Sequence, residues 1–314
     1  MKLNHVIESQ QFERADLEWL FTQADRMRNV VEAGGANLLR TKIMASLFYE
    51  PSTRTRLSFE AAMLRLGGSV IGTENAREFS SVSKGETLED TIRVIGGYVD
   101  VIVLRHDEEG SAEKAAAVSP VQIINAGDGP GQHPTQAVLD TYTINKEIGK
   151  IDDLSIAMCG DLARGRTVRS LCYQLAKFNI GTIHLVSHPK LRMRDDIKEY
   201  LTKHDVKYVE SEDLEAVASE VDILYQTRTQ DERDDKEDEE RFLVTPEEAA
   251  PFDIDKSIVQ RMREDAYIMH PLPRKGEITT AVDSDLRAAY FRQAKNGLYV
   301  RMALLKAILA PEAA

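Results

Sequence analysis

The sequence has little cysteine, no long apolar run and a deficit of positive charge, and each shortage excludes a class of protein. Only Cys159 and Cys172 occur, with no C-x-x-C pair to hold zinc. They fall in what reads as a buried strand and the helix after it, where reduced core thiols are expected. No apolar run approaches a membrane span. Lys and Arg total 40 against 52 Asp and Glu, a net charge of −12. That balance argues against nucleic acid or an anionic membrane as partner. Any anionic small molecule must therefore meet locally gathered arginines. The start, Met1-Lys2-Leu3-Asn4-His5, has no basic segment leading into an apolar one, so a cytoplasmic location is expected unless an organelle transit segment has been removed.

What is present points to two folded α/β domains. At 314 residues the chain exceeds the size at which one core keeps growing, and 42% hydrophobic residues suffice for two cores. Runs rich in β-branched residues alternate with helix-period segments: 43–49, 101–105, 121–126, 154–159, 182–186 and 223–225. That alternation predicts parallel sheets covered by helices. Leu88, Ile92 and Ile95 mark an amphipathic helix after the acidic Glu86, ended by Gly96-Gly97. A long helix over 134–150 is expected near a domain junction. The terminal 286–309 has helical spacing and no later strand, so it can fold back onto the first half. The nearly all-charged stretch 231–241 reads as a solvated loop.

The sharpest local signal is Ser52-Thr53-Arg54-Thr55-Arg56, which follows an apolar strand and opens a helical run. The first N–H groups of a helix have no internal partner and sit at the positive end of its dipole, so they suit a phosphate. Hydroxyls add donors, and an arginine adds a charged fork. An ordinary capped helix with solvated arginines would use the same residues. Other motifs also close predicted strands, where open α/β sheets place ligands. They are Arg105-His106, the His133-Pro134-Thr135-Gln136 run after a glycine-rich turn, Arg166, Arg228, and His270-Pro271-Leu272-Pro273-Arg274. His270 could equally be a satisfied core histidine.

The stretch Gly160-Asp161-Leu162-Ala163-Arg164-Gly165-Arg166-Thr167 has the glycine spacing of a nucleotide P-loop. Arginine stands where the P-loop needs a compact lysine, and no acidic strand end offers itself to magnesium, so nucleotide hydrolysis is set aside.

Taken together, Ser-Thr-Arg-Thr-Arg at 52–56, His-Pro-Thr-Gln at 133–136, Gly-Asp-Leu-x-x-Gly-Arg-Thr at 160–167 and His-Pro-Leu-Pro-Arg at 270–274 resemble the aspartate and ornithine carbamoyltransferase family, from about residue 45 onward. The resemblance implies two doubly wound parallel-sheet domains joined by long helices. A carbamoyl-phosphate domain would comprise 1–133 with about 288–314, a connecting helix 134–149, and an aspartate domain about 150–285. The aspartate branch is favoured because two carboxylates suit Arg166 and Arg228. The ornithine branch's His-Cys-Leu-Pro and Ser-Met-Gly are replaced by His270-Pro271-Leu272-Pro273 and Gln226-Thr227-Arg228-Thr229-Gln230.

Position by position, the resemblance implies that Ser52, Thr53, Arg54 and Thr55 hold phosphate, with Arg105 spanning phosphate and carbonyl oxygens. His133 would donate to the carbonyl oxygen, while Gln136 and backbone carbonyls near Pro271 and Leu272 fix the carbamoyl NH2. Arg166 and Arg228 would bind the carboxylates of aspartate, assisted by Gln230. Ser80 and Lys84 would come from a neighbouring subunit, which implies a homotrimer with shared sites. No metal or cofactor is implied. A regulatory chain is compatible with this reading, but no residue marks a place for one. Two departures stand out: Ser83 replaces a second lysine that some members carry beside Lys84, and acidic residues 234–240 follow Gln230 where the family's loop turns apolar sooner. The expected chemistry is transfer of a carbamoyl group to the aspartate amine, with domain closure. Transfer to another amine, or an inactive anion-binding relative, are the competing readings.

Overall fold

The computed structural model describes residues 3–74, 85–228 and 242–311. Two compact units share the chain, Met1–Tyr142 with Lys295–Ala314, and Thr143–Ala294. Both division points fall inside long helices, Pro134–Ile148 and Tyr290–Leu309.

The first unit opens on helix α1 (Arg14–Glu32) and then alternates β1 (Ile43–Phe48), α2 (Thr53–Arg65), β2 (Ser69–Glu74), α3 (Leu88–Gly96), β3 (Val101–His106), α4 (Ser111–Val118), β4 (Gln122–Asp128) and α5 (Pro134–Ile148). Its sheet is parallel throughout, in the order β2-β1-β3-β4. Strand β1 therefore sits between strands wound in opposite senses. The crevice at the carboxyl ends of β1 and β3, where Phe48 pairs in register with Arg105, is a topological switch point.

The second unit carries β5 (Ser155–Cys159), α6 (Arg166–Leu175), β6 (Thr182–Val186), α7 (Asp195–Lys203), β7 (Tyr208–Ser211), α8 (Leu214–Ala218), β8 (Ile223–Gln226), α9 (Pro246–Ala249), α10 (Lys256–Arg261), β9 (Tyr267–Met269) and the start of α11 (Tyr290–Leu309). Its parallel sheet runs β7-β6-β5-β8-β9. The switch point here lies beyond Cys159 and Gln226, which are paired in register.

Sequence and fold agree for the central strands, because a strand covered on both faces is apolar along its whole length. Val101–Leu104 and Ile223–Tyr225 are fully buried. The apolar runs do not announce β2 and β7, which are edge strands with largely exposed side chains. In α3, Thr87 caps the first turn by accepting from the Asp90 N–H, and Glu89 and Asp90 face the positive end of the helix. Gly96 belongs to that helix instead of ending it. A Cβ there would meet Pro120 Cδ at 2.6 Å, so the glycine serves close packing, and Gly97 takes the cap position. Helix α2 is anchored by buried Phe59, Ala62 and Met63. Truncating a buried phenylalanine such as Phe59 to alanine costs about 3–5 kcal/mol.

Both thiols are buried, Cys159 in β5 and Cys172 in α6, and burial pushes the Cys172 thiol up to about 12. Among the described residues, no helix is long and apolar enough to cross a membrane.

Candidate active site

In the first unit, the residues expected to hold an anion gather at the β1/β3 switch point. Ser52 occupies the N-cap position of α2, yet its hydroxyl makes no capping hydrogen bond. A plain capped helix would use that oxygen on its own N–H groups. Thr53 and Arg54 are exposed, while Thr55 is buried and faces His133, with Thr55 Oγ1 3.5 Å from His133 Nε2. Arg56, in contrast, is taken up locally by ion pairs to Glu74 at 2.9 Å and Glu60 at 3.6 Å.

Arg105 projects from the end of β3, where it is 8% exposed. It pairs with Glu50 at 2.9 Å and donates to the Ala126 carbonyl at 3.2 Å. A guanidinium so deeply placed needs partners for its charge, and Glu50 supplies one at the mouth of the phosphate-type turn. Its neighbour His106 turns away. It lies 3.0 Å from Ser111 Oγ, accepts from the Glu108 N–H and packs on Tyr49, so it organises the loop after β3.

His133 ends the turn after β4, and Asp128 shapes that turn by accepting from the backbone N–H groups of Gln132 and Gly110. Gln136 lies in the first turn of α5. Its Nε2 donates to buried Asp140 at 2.9 Å, which leaves its carbonyl oxygen for other use.

In the second unit, a cavity of about 370 Å³ opens at the β5/β8 switch point. Gly160, Gln226, Thr227, Arg228, Asp253 and Glu277 are among its lining residues. Gly160 has φ +105°, and a Cβ there would meet the Thr227 carbonyl oxygen at 2.2 Å, so only glycine lets the two strand ends approach. The P-loop-like stretch closes on itself. Buried Asp161 accepts from the Arg164 N–H at 3.0 Å and pairs with Arg164 Nε at 2.9 Å. Arg166 is the first residue of α6 and is buried. Arg228 lines the cavity; Arg166 is not among its walls.

The segment after β9 has an unusual backbone. Leu272 has φ +54°, a left-handed conformation that strains a branched side chain. His270 holds it there: Nδ1 accepts from the Leu272 N–H at 2.7 Å, so the ring proton sits on Nε2, 2.8 Å from Glu277. Burial alone would push Glu277 up, but the His270 hydrogen bond and the Lys275 N–H bring it down to about 2. His270 is thus a core histidine that positions Pro271 and Leu272. Arg274 is also structural, pairing with Asp283 at 2.7 Å and lying over the Tyr290 ring. The Asp253 carboxyl goes the other way, raised to about 6 by burial and then by Glu277 and Asp255.

Both switch points thus carry arginines and polar side chains suited to anions, and comparisons with known proteins bear on what those anions are. The profile "Aspartate/ornithine carbamoyltransferase, carbamoyl-P binding domain" matches residues 4–146, and "Aspartate/ornithine carbamoyltransferase, Asp/Orn binding domain" matches 152–308. The chain belongs to the aspartate/ornithine carbamoyltransferase family. Within that family it is 56% identical to the chloroplastic aspartate carbamoyltransferase of Arabidopsis thaliana, across 98% of this chain and 78% of that protein. It is 47% identical to the aspartate carbamoyltransferase catalytic subunit of Clostridium novyi, across 98% of each. Among solved structures it is similar to aspartate transcarbamoylase from Trypanosoma cruzi in complex with carbamoyl phosphate and aspartate. The TM-score is 0.90 at 42% identity, covering 98% of this chain and 96% of that one.

Ser80, Lys84 and Gln230, like the acidic stretch 231–241, lie outside the described residues. Sequence reasoning passed over Glu50, Asp140, Asp253, Glu277 and Arg301. The Gln136–Asp140 pair was within reach, since positions i and i+4 share a helix face. Nothing local in the sequence marks Asp253 or Arg301, whose surroundings come from distant segments.

Proposed function

We propose that this chain transfers the carbamoyl group of carbamoyl phosphate to the amine of L-aspartate, giving N-carbamoyl-L-aspartate and phosphate, an early step of de novo pyrimidine biosynthesis. The observation that carries this reading is the set of Thr55, Arg105 and His133 at the first switch point, beside a helix N-terminus whose Ser52 does not cap it. In this reading Ser52, Thr53, Arg54 and Thr55 hold the phosphate. Arg105 spans phosphate and carbonyl oxygens, and His133 donates to the carbonyl oxygen. Gln136, with the Pro271 and Leu272 carbonyls, fixes the carbamoyl NH2. Arg166 and Arg228 take the two carboxylates of aspartate, with Gln230 assisting.

Carbamoyl phosphate already carries a good leaving group, so the chemistry asks for positioning and charge stabilisation. The neutral amine attacks the carbonyl carbon, and the growing oxyanion is held by Thr55, Arg105 and His133. A preorganised donor of this kind contributes about 3–4 kcal/mol to the transition state. Phosphate then leaves as the C–O bond breaks and takes the proton of the amine.

The active form in this reading is a homotrimer, with Ser80 and Lys84 reaching the site of a neighbouring subunit. It works in the cytoplasm, or in an organelle if a precursor carries a transit segment, as the chloroplastic names of the plant relatives allow. Turnover assays with carbamoyl phosphate and a panel of amines test the reading. Aspartate should be carbamoylated and ornithine should not. Preference for ornithine, or no turnover with any amine, overturns it.

A further inference from the structure

Gln136 raises a question of orientation, because its side-chain amide presents an acceptor on one side and a donor on the other. Whichever end faces the ligand decides whether the site recognises an NH2 group or repels it. The described residues hold a feature that fixes the choice. Gln136 Nε2 donates to Asp140 Oδ1 at 2.9 Å inside α5, where Asp140 has no exposure. A carboxylate only accepts, so the amide nitrogen must turn towards it.

The charge of Asp140 also favours the charged form of Arg301 in α11. The guanidinium is 3% exposed and lies 5.1 Å from the centre of the Phe59 ring, on the helix that opens with the phosphate-type turn. Space for it comes from Gly297, where a Cβ would stand 2.6 Å from Arg301 Nη1. Burial lowers Arg301 to about 10, opposed by the charge of Asp140, so it stays cationic at neutral pH. What fixes the glutamine is the hydrogen bond to Asp140 itself, a buried carboxylate accepting from the amide N–H.

We propose that Asp140 is a positioning residue that locks the Gln136 amide with its oxygen towards the ligand, and so makes the site selective for a carbamoyl group over an acetyl group. Acetyl phosphate has almost the same shape, with a methyl where carbamoyl phosphate has NH2. A site built around an acceptor rejects the analogue that cannot donate, because its oxygen is left without a partner. The inference rests on the proposed function, which assigns Gln136 to the carbamoyl NH2.

The test is Asp140→Leu, a side chain of nearly the same shape that removes the acceptor. Gln136 is then no longer held with its NH2 turned away, and can point a donor at the ligand's donor. Dissociation constants for carbamoyl phosphate and acetyl phosphate are measured on parent and variant by calorimetry. Carbamoyl phosphate binding is expected to weaken at least tenfold, as about one lost hydrogen bond implies, with acetyl phosphate changed by less than about threefold. In a Gln136→Ala background the same substitution should leave the ratio of the two constants unchanged.

A merely structural role for Asp140 would weaken both ligands together, or shift the ratio even without Gln136, and either result overturns the proposal. If Asp140→Leu does not fold, Asp140→Asn carries the test, since its amide can either accept from Gln136 or donate to it and so no longer fixes the glutamine. The ratio should then fall at least threefold, and an unchanged ratio overturns the proposal. A parent protein that binds no carbamoyl phosphate would sink the functional reading itself, whereas a selective parent with an equally selective variant sinks only this inference.

Discussion

Thr55 Oγ1 and His133 Nε2 lie 3.5 Å apart, joining the first turn of one helix to the residue before another across 78 positions of sequence. The distance is at the outer limit of a hydrogen bond, so the two groups face a common point more than they satisfy each other. If both donate to one developing oxyanion, removing either should cost much of the same stabilisation. Thr55→Val is expected to lower kcat by about 100-fold, and His133→Ala by a similar factor. The double variant should lose less than the product of the two factors, since residues in contact couple. Steady-state kinetics on the three variants check this, and strictly multiplicative losses would place the two residues on different steps.

Much of that site is legible in sequence because an anion site at a strand end is built from contiguous residues. Ser52 to Arg56 supply helix start, hydroxyls and guanidinium in one run, and the central strand before them, Ile43–Phe48, is apolar but for Ser46. Edge strands are another matter. In β7, Tyr208–Ser211 buries none of its side chains fully, so nothing in its pattern separates strand from loop. Side chains that act on one another across the fold are equally silent. Arg105 reads as a ligand-facing arginine, but its pairing with Glu50 needs the geometry of two strand ends. His106 and Arg274 show the converse, since both close strands as ligand residues do and both are consumed by their own neighbourhoods.

Arg228 lines the second unit's cavity, and Arg228→Ala should act chiefly on aspartate. One carboxylate would lose a charged fork, raising the aspartate KM by about tenfold or more. Carbamoyl phosphate affinity should stay nearly as in the parent. Initial rates with each substrate varied in turn decide the matter, and equal weakening of both would put Arg228 in the wrong place.

The same cavity predicts a pH effect through Asp253, whose carboxyl is raised from 3.8 to about 6. Below that value the group is neutral; above it, a negative charge joins Glu277 in a cavity expected to receive a dicarboxylate. Binding of succinate, which has both carboxylates and no amine, should therefore weaken as pH rises through about 6, and Asp253→Asn should remove that step. Between 3.8 and about 6 the folded state holds a proton on Asp253 that the unfolded state has lost, so this group's contribution falls as pH rises through that window. Glu277, lowered from 4.5 to about 2, contributes above 4.5 and loses its contribution as pH falls towards 2. Titration calorimetry with succinate between pH 5 and 8, a range set about the Asp253 value, checks the binding step, and a flat or rising affinity contradicts it.

The assembly can be tested by restoring activity from two dead variants. In the homotrimer reading, each site combines Arg54 of one subunit with Lys84 of the next, a head-to-tail contact closed by rotation. In that reading Arg54→Ala should cut kcat by at least about 100-fold with little loss of stability, since the side chain is exposed. Lys84→Ala should be comparably impaired. When the two are mixed after reversible dissociation, some interfaces in the hybrids join an intact Arg54 from one parent to an intact Lys84 from the other. A fraction of parental activity should then return, though neither variant alone had any. Native mass measurement establishes whether hybrids have formed. If they have and activity stays at the floor, Lys84 acts within its own chain or not at all, and the shared-site reading fails.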